Sequence, residues 1–213
     1  ADNSVLTLTA PDDVLIRGNI AVNGTDSDLV IQSDKWVYIE GFVTVRDDIQ
    51  VFGGMEVDGT SRGGSHNGTS VYVHATSVIR STQAGSSITL TGDKDVEIHA
   101  AVVAGGEIGE TGVTWAGEGS TLTVDAGEQA LINSALVASG NITVRGGAPG
   151  ADDLGLGPVL APHRLSVLVT TVGGITSAGD GIGTSGATIY IYSEGNIEIL
   201  GHILAGGVVT QVF

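Results

Sequence analysis

Apolar and polar residues alternate with a period of two along most of the chain, which is typical of β-strands whose successive side chains face opposite sides. The segment 6–22, LTLTAPDDVLIRGNIAV, aligns without gaps with segments 29–45, 88–104, 122–138 and 189–205. Eight inward positions recur in each segment as aliphatic or small residues; in the first they are Leu6, Leu8, Ala10, Val14, Ile16, Gly18, Ile20 and Val22. The pattern predicts a repeated unit of three short strands, with a small residue where the backbone bends.

Less regular copies fill the intervals, beginning near Ile49, Val71, Ile142 and Val167, so the sequence holds about nine units whose starts lie roughly 17 to 34 residues apart. One unit cannot bury its own aliphatic row, whereas a stack of units buries a continuous column. We therefore predict an all-β fold, a right-handed parallel β-helix of about nine coils that forms one domain over residues 1–213. The hand follows from the preference of parallel crossovers. An antiparallel sandwich is the main alternative, but it does not require the same inward positions to recur.

Three glycine-rich insertions interrupt the repeat near residues 53–70, 105–120 and 146–164. Loops carried on a rigid scaffold often bind ligands, and the aromatic cluster of Trp36, Tyr38 and Phe42 in one unit could stack on a sugar ring. The candidate ligand-binding residues are Trp36, Tyr38, Arg62, His66, Trp115, Asp152 and Asp153. The alternatives are that the insertions are simple excursions and that the aromatic rings pack under a neighbouring loop.

The composition excludes several classes of partner. With 24 acidic against 8 basic residues, the formal net charge is -16, which argues against nucleic acid and anionic membrane surfaces. No run of apolar residues is long enough for membrane insertion as a helix.

The absence of cysteine excludes a disulfide framework and a thiolate metal site. Aromatic residues make up only 4% of the chain, so Val, Ile, Leu and Ala must fill the core.

Acidic residues recur in the first turn of the unit, and stacking would bring their carboxylates close together. The candidate metal ligands are Asp12, Asp13, Asp34, Asp93 and Asp95. Oxygen ligands of this kind suit Ca²⁺, which is the one cofactor to consider. The alternative is a solvated acidic edge, in which Asp forms turn hydrogen bonds and the neighbouring Lys35 and Lys94 offset part of the charge.

Several outward positions of the second and third strands are apolar: Leu15, Leu131 and Leu200 on the second, and Val103, Val137 and Leu204 on the third. Strands that are apolar on both faces are usually covered on both faces. We therefore expect the chain's own insertions, or another copy of the protein, to cover these positions. The sequence also opens and closes with strand-like segments, which predicts either a segment of a longer rod or subunits that self-associate by stacking or lateral packing.

The phrase LxLxA, followed by a turn and DVxIxGxIxA, resembles the repeats of filamentous-haemagglutinin-like exoproteins, autotransporter passengers and other bacterial surface adhesins. The resemblance covers most of the chain at the level of the repeat. It implies an extracellular or cell-surface β-helix that serves as an adhesive spacer or assembly module, with a carbohydrate or a host or cell-surface receptor as partner. The secretion motifs of these families do not occur in the sequence, so the resemblance leaves the export route open.

An enzyme is the alternative class, because parallel β-helices also include polysaccharide lyases and glycoside hydrolases. Hydrolysis needs two carboxyl groups at a suitable separation, and adjacent pairs such as Asp152 and Asp153 are candidates. Neighbours along a strand, however, point to opposite faces, and an acidic rod repels acidic polysaccharides. We therefore predict a non-catalytic protein without catalytic residues. A filament subunit built by end-to-end stacking is the second alternative.

Overall fold

The computed structural model describes residues 2–55, 68–109, 112–147, 165–178 and 187–206. Within these ranges the regular secondary structure consists of strands, which form three parallel seven-stranded sheets and one antiparallel pair. Each coil contributes one strand to each large sheet, and the predicted parallel β-helix is thereby confirmed. In the part of the chain so described, no helix has the length and apolarity needed to cross a membrane.

The three large sheets each run along the whole stack, with their strands in the following spatial order. Sheet A contains β1 (Val5–Ala10), β4 (Asp28–Ser33), β7 (Ile49–Gly53), β10 (Ser87–Gly92), β15 (Thr121–Ala126), β18 (Ile142–Gly146) and β21 (Ile189–Ser193). Sheet B contains β2 (Asp13–Ile16), β5 (Trp36–Ile39), β8 (Thr69–Val73), β11 (Asp95–Ile98), β16 (Ala130–Ile132), β19 (Leu165–Val169) and β22 (Asn196–Ile199). Sheet C contains β3 (Ile20–Val22), β6 (Phe42–Val45), β9 (Val78–Ser81), β12 (Ala101–Ala104), β17 (Ala135–Ala138), β20 (Gly174–Ser177) and β23 (His202–Ala205). The antiparallel pair is β13 (Gly106–Gly109) and β14 (Gly112–Trp115).

The described strands form seven coils where the repeat predicts about nine, and two insertions account for the difference. The segments that begin near Ile49 and Val71 form β7 and β8 of one coil, and those near Ile142 and Val167 form β18 and β19 of another. In both coils an insertion separates the first strand from the second, so the sequence pattern counts a single coil as two units. The right hand of the winding stays a prediction.

Equivalent positions of successive coils lie beside one another in register. In sheet A, Leu6 pairs with Leu29, Ile88 with Leu122, and Leu122 with Ile142. The largest fully buried side chains are Leu29, Ile31, Ile39, Ile49, Ile79, Ile88, Leu90, Ile98, Leu122, Ile132, Leu136 and Ile142. Each coil therefore adds its aliphatic row to one continuous column, and removing that column from water drives folding.

Small residues at the corners let successive coils approach closely. A Cβ atom at Gly41 would overlap the backbone carbonyl group of Gly18 in the preceding coil. At another corner, the hydroxyl oxygen of Ser33 accepts hydrogen bonds from the backbone N–H groups of Lys35 and Trp36, at 3.1 and 2.9 Å. These bonds hold the turn between sheets A and B, directly before the outward side chains of β5.

The insertion near residues 105–120 forms a β-hairpin directly after β12. Strands β13 and β14 pair in antiparallel fashion, with Glu107 opposite Thr114. The backbone N–H of Ala116 donates to the carbonyl oxygen of Gly105 at 2.9 Å, which closes the hairpin where it leaves the coil. Most residues of the other two insertions lie outside the described ranges.

The outward apolar positions divide into covered and exposed ones. Val103 on β12 is fully buried and Leu131 on β16 is buried. Leu15 on β2 and Leu200, directly after β22, are exposed instead. A single chain therefore covers some of these positions by itself and leaves others at its surface.

Candidate ligand-binding site

The outward face of sheet B carries a column of rings. Alternate residues of a strand face the same side, and coils in register place equivalent residues beside one another. Tyr38 on β5 pairs with Tyr72 on β8, and a histidine follows each of the strands β8 and β11. We call the half-buried residues Trp36, Tyr38, Tyr72, His74 and His99 the ring strip.

The rings of this strip contact one another along the helix axis. The centroids of Tyr38 and Tyr72 lie 5.5 Å apart with an interplanar angle of 9°, and those of Tyr72 and His99 lie 5.0 Å apart at 29°. Trp36 is tilted by 50° against Tyr38 at 5.0 Å. The stacked faces of the tyrosines are therefore in contact with other rings. A ligand at this surface would therefore meet ring edges and the half-buried, tilted indole, whose Nε1 atom is itself buried.

A chain of hydrogen bonds fixes the end of the strip at His99. The hydroxyl of Thr170 donates to Asn133 Oδ1 at 2.6 Å, so the Asn133 amide donates through Nδ2 to His99 Nδ1 at 3.1 Å. His99 Nε2 then carries the proton and donates to Glu97 Oε2 at 3.1 Å. Thr69 donates to the other oxygen of Glu97 at 2.5 Å. Both oxygens of this carboxylate are thus bound by the protein's own groups.

The opposite end of the strip is more accessible. Arg17 is exposed and Glu40 is half-buried in this region, and Arg17 Nε lies 3.8 Å from Glu40 Oε2. Burial raises the pKa of the Tyr38 hydroxyl and the Glu40 carboxylate raises it further, so this phenol stays protonated at neutral pH and can donate a hydrogen bond. Around Tyr38 and Trp36 the surface combines aromatic area with donors and acceptors of both charges.

Asp95, at the start of β11, is a buried carboxyl group and only 1% exposed. The backbone N–H of Gln129 donates to Asp95 Oδ1 at 2.9 Å. Burial, together with the nearby carboxylates of Glu128 and Glu97, nevertheless raises the pKa of Asp95 to about 7. Through its hydrogen bond to the Gln129 backbone, the Asp95 side chain joins its own coil to the neighbouring one.

Basic side chains lie beside acidic side chains of neighbouring coils, both in the turns and on the strands of sheet A. The ion pairs join Lys35 to Asp12, Lys94 to Glu128 at 3.7 Å, and Arg145 to Asp125 and Glu194 at 3.6 and 3.7 Å. These ion pairs offset part of the repulsion between neighbouring carboxylates. The sequence had left a bound cation as another way to offset it. Among the described residues, no three His, Asp or Glu side chains form a group able to hold a metal ion.

The remaining candidates lie beside the ring strip, elsewhere on the described coils or outside the described ranges. Asp13 is the register partner of Trp36 in the pairing of β2 with β5. Asp13 is exposed, whereas Asp34 and Asp93 are half-buried in the turns between sheets A and B. Trp115 is half-buried on the hairpin, at the end of β14. Arg62, His66, Asp152 and Asp153 lie outside the residues that the structure describes. The structure thus brings Trp36 and Tyr38 together, and the roles of all these candidates stay predictions.

Sequence reasoning did not single out Tyr72, His74, Glu97 and His99. The signal is present in the tetrapeptides VYIE, VYVH and VEIH, beginning at Val37, Val71 and Val96, which share one alternation. This shared alternation becomes visible only when the segment at Val71 is aligned with the second strands of the neighbouring coils, β5 and β11.

Two further exposed rings lie on sheet A. Tyr190 and Tyr192 are consecutive outward residues of β21, and the Arg145 guanidinium carbon lies 5.9 Å from the centroid of the Tyr192 ring. They form a second aromatic surface on a different face of the coil.

No family model matches the sequence, and comparisons with curated proteins and with solved structures find no similar protein.

Proposed function

We propose that the protein is a non-catalytic, extracellular or cell-surface β-helix that binds a saccharide at the accessible end of the ring strip. The observation that carries this proposal is the grouping of Trp36 and Tyr38 with the ion pair of Arg17 and Glu40. A sugar combines apolar C–H surface with hydroxyl groups. It is therefore matched by an aromatic surface with nearby donors and acceptors.

The geometry of the rings specifies how the saccharide lies. Because the faces of Tyr38 and Tyr72 contact each other, the tilted indole of Trp36 supplies the apolar contact. The Tyr38 hydroxyl and the Arg17–Glu40 pair then bind sugar hydroxyl groups. The net charge of -16 disfavours acidic sugars, so the proposed ligand is a neutral or basic saccharide.

The carboxyl groups on β11 favour binding over catalysis. Glu97 has both oxygens bound by Thr69 and His99, and Asp95 is buried against the backbone of Gln129. A general acid must reach the leaving-group oxygen of its substrate. Neither carboxyl group meets that requirement in this arrangement. The proposed extracellular or cell-surface location rests on the resemblance of the repeats to those of surface adhesins.

We expect Tyr38→Ala to weaken saccharide binding at least about tenfold, or ~1.4 kcal/mol. A glycan array identifies the saccharide, and calorimetry compares the dissociation constants. Tyr190→Ala is the matched control, because Tyr190 is a 59% exposed tyrosine on another sheet. This variant should bind the saccharide as tightly as the unaltered chain does.

Three outcomes contradict the proposal. One is that no saccharide on the array binds, and another is that Tyr190→Ala weakens binding as much as Tyr38→Ala. The third is cleavage of a polysaccharide, detected as new reducing ends or unsaturated products. Loss of that cleavage on changing Asp152 and Asp153 would favour the lyase or hydrolase alternative.

A further inference from the structure

The outward side chains at the accessible end of the ring strip form matching rows on two neighbouring coils. Strands β2 and β5 pair in parallel, with Asp13 beside Trp36 and Leu15 beside Tyr38. Register partners of adjacent parallel strands point to the same side of their sheet, so these four side chains share the outward face. Leu15 is exposed, and its aliphatic surface enlarges the apolar area next to the rings.

The next row of this surface is an ion pair. The backbone N–H of Glu40 donates to the carbonyl oxygen of Ile16 at 2.8 Å, which places Glu40 beside Arg17. The 3.8 Å between Arg17 Nε and Glu40 Oε2 is longer than a hydrogen bond. An ion pair that is open to water contributes little free energy. Another cation can therefore replace Arg17 beside the Glu40 carboxylate.

The acidic groups of this surface outnumber its basic ones. Asp13 is exposed at one end of the rows, and Glu40 lies at the other. Lys35 forms its ion pair with Asp12, and the charge of Asp13 raises the pKa of Lys35 less than the contact with Asp12 does. Two carboxylates, those of Asp13 and Glu40, therefore border the rings together with one guanidinium, that of Arg17.

A saccharide with free amino groups suits these charges better than a neutral one. Its C–H surface can contact the indole and its hydroxyl groups can bond the Tyr38 hydroxyl, as in a neutral sugar. Its ammonium groups can in addition pair with carboxylates. Four residues of a strand span about 13 Å, so Asp13, level with Trp36, and Glu40 would contact different sugar units of one oligosaccharide. The net charge of -16 also attracts a cationic chain to the protein.

We propose that this surface selects a basic oligosaccharide of the glucosamine type, whose ammonium groups pair with Glu40 and Asp13 while a sugar unit contacts Trp36. This inference rests on the proposed saccharide binding and specifies the class of its ligand. Glu40 is the residue that determines specificity, and Arg17 competes with the ligand for the Glu40 carboxylate.

Two oligosaccharides of equal length separate the effect of charge from that of sugar shape. One is an oligomer of glucosamine and the other is the corresponding oligomer of N-acetylglucosamine, which lacks the charged amines. Calorimetry is carried out at about pH 6, where the amines are protonated. We expect the glucosamine oligomer to bind about fivefold more tightly, as one or two exposed ion pairs allow. Added salt should reduce this preference, because it screens the ion pairs.

Substitutions locate the source of the preference. Glu40→Gln should remove most of it and leave the binding of the N-acetylated oligomer nearly unchanged, because the amide still bonds hydroxyl groups. Arg17→Ala should strengthen the binding of the glucosamine oligomer, because the competing cation is gone. Glu194→Gln is the matched control and should keep the preference. The Glu194 side chain is 46% exposed and lies 3.7 Å from Arg145, whereas that of Glu40 is 40% exposed and lies 3.8 Å from Arg17.

The outcomes distinguish this inference from the proposed function. Equal binding of the two oligomers, or tighter binding of the N-acetylated one, overturns the inference, and saccharide binding stands if Tyr38→Ala still weakens it. An equal loss of preference in Glu194→Gln and Glu40→Gln also overturns the inference, because the net charge of the chain then explains the effect. If neither oligomer binds, the inference fails, and the proposed function fails with it only if the glycan array also shows no binding.

Discussion

At the scale of the residue, Asp95 stabilises the fold through a hydrogen bond and destabilises it through the burial of its charge. Its carboxyl group accepts the Gln129 N–H and thereby joins two coils. Burial raises its pKa from 3.8 to about 7. Because the folded pKa lies above the unfolded value, the folded protein binds the proton more tightly. The contribution of Asp95 to stability therefore decreases as the pH rises from about 4 to about 7.

Asp95→Asn should therefore raise the free energy of unfolding at pH 8 by about 2 kcal/mol, since the amide keeps an acceptor for Gln129 and loses the charge. Near pH 4 the two proteins should be equally stable. Denaturant unfolding at both pH values measures the difference. Asp13→Asn, at an exposed carboxylate, serves as the control and should change the stability by less than about 0.5 kcal/mol at either pH. An equal loss for Asp95→Asn at both pH values would contradict this account.

At the scale of the element, the corners between sheets decide how closely coils approach. Gly18 and Gly41 occupy the same position of the repeat, yet their surroundings differ. A Cβ atom at Gly41 overlaps the carbonyl group of Gly18, whereas a Cβ atom at Gly18 meets no atom within 4 Å. The difference arises because the corner of one coil faces the coil before it.

We expect Gly41→Ala to destabilise the fold by about 1 to 3 kcal/mol, because the backbone on both sides is held by strand pairing and cannot yield freely. Gly18→Ala is the matched control and should stay within about 0.5 kcal/mol of the unaltered chain. Thermal and denaturant unfolding compare the two. Similar losses for both variants would show that the corner conformation, and not the contact between coils, requires glycine.

At the scale of the whole molecule, stability comes from contacts between neighbouring coils. Leu6 and Leu122 occupy the same inward position of sheet A in different coils. Leu122 has a paired strand on each side and is fully buried, whereas Leu6 has a paired strand on one side among the described strands and is 39% exposed. In a solenoid the contribution of a residue therefore depends on its coil.

Leu122→Ala should cost about 3 kcal/mol of unfolding free energy, because it leaves a cavity in the aliphatic column. Leu6→Ala should cost less than about 1 kcal/mol in the monomer, since much of its side chain is already in water. Denaturant unfolding of dilute samples provides the comparison, with dilution preventing association. Equal costs for the two substitutions would be inconsistent with a stack of coils.

The repeat was predictable because its signal is local. The inward row of residues 6–22, the strand alternation and the small corner residues all follow from spacing along the chain, and the observed register confirms them. The candidate site was only partly predictable. Trp36 and Tyr38 lie within one strand, whereas Tyr72 and His99 join them through coils that insertions separate in sequence.

The sequence by itself determined the parallel β-helix and the residues that face its core, because strand periodicity and unit length depend only on neighbours along the chain. The tertiary structure decided that Ile49 and Val71 belong to one coil, which reduces the count to seven. It also decided that Leu131 is buried while Leu15 is exposed, although both are outward leucines of sheet B. Exposure is set by segments that are distant in sequence and adjacent in space, and the periodicity of one strand carries no information about them.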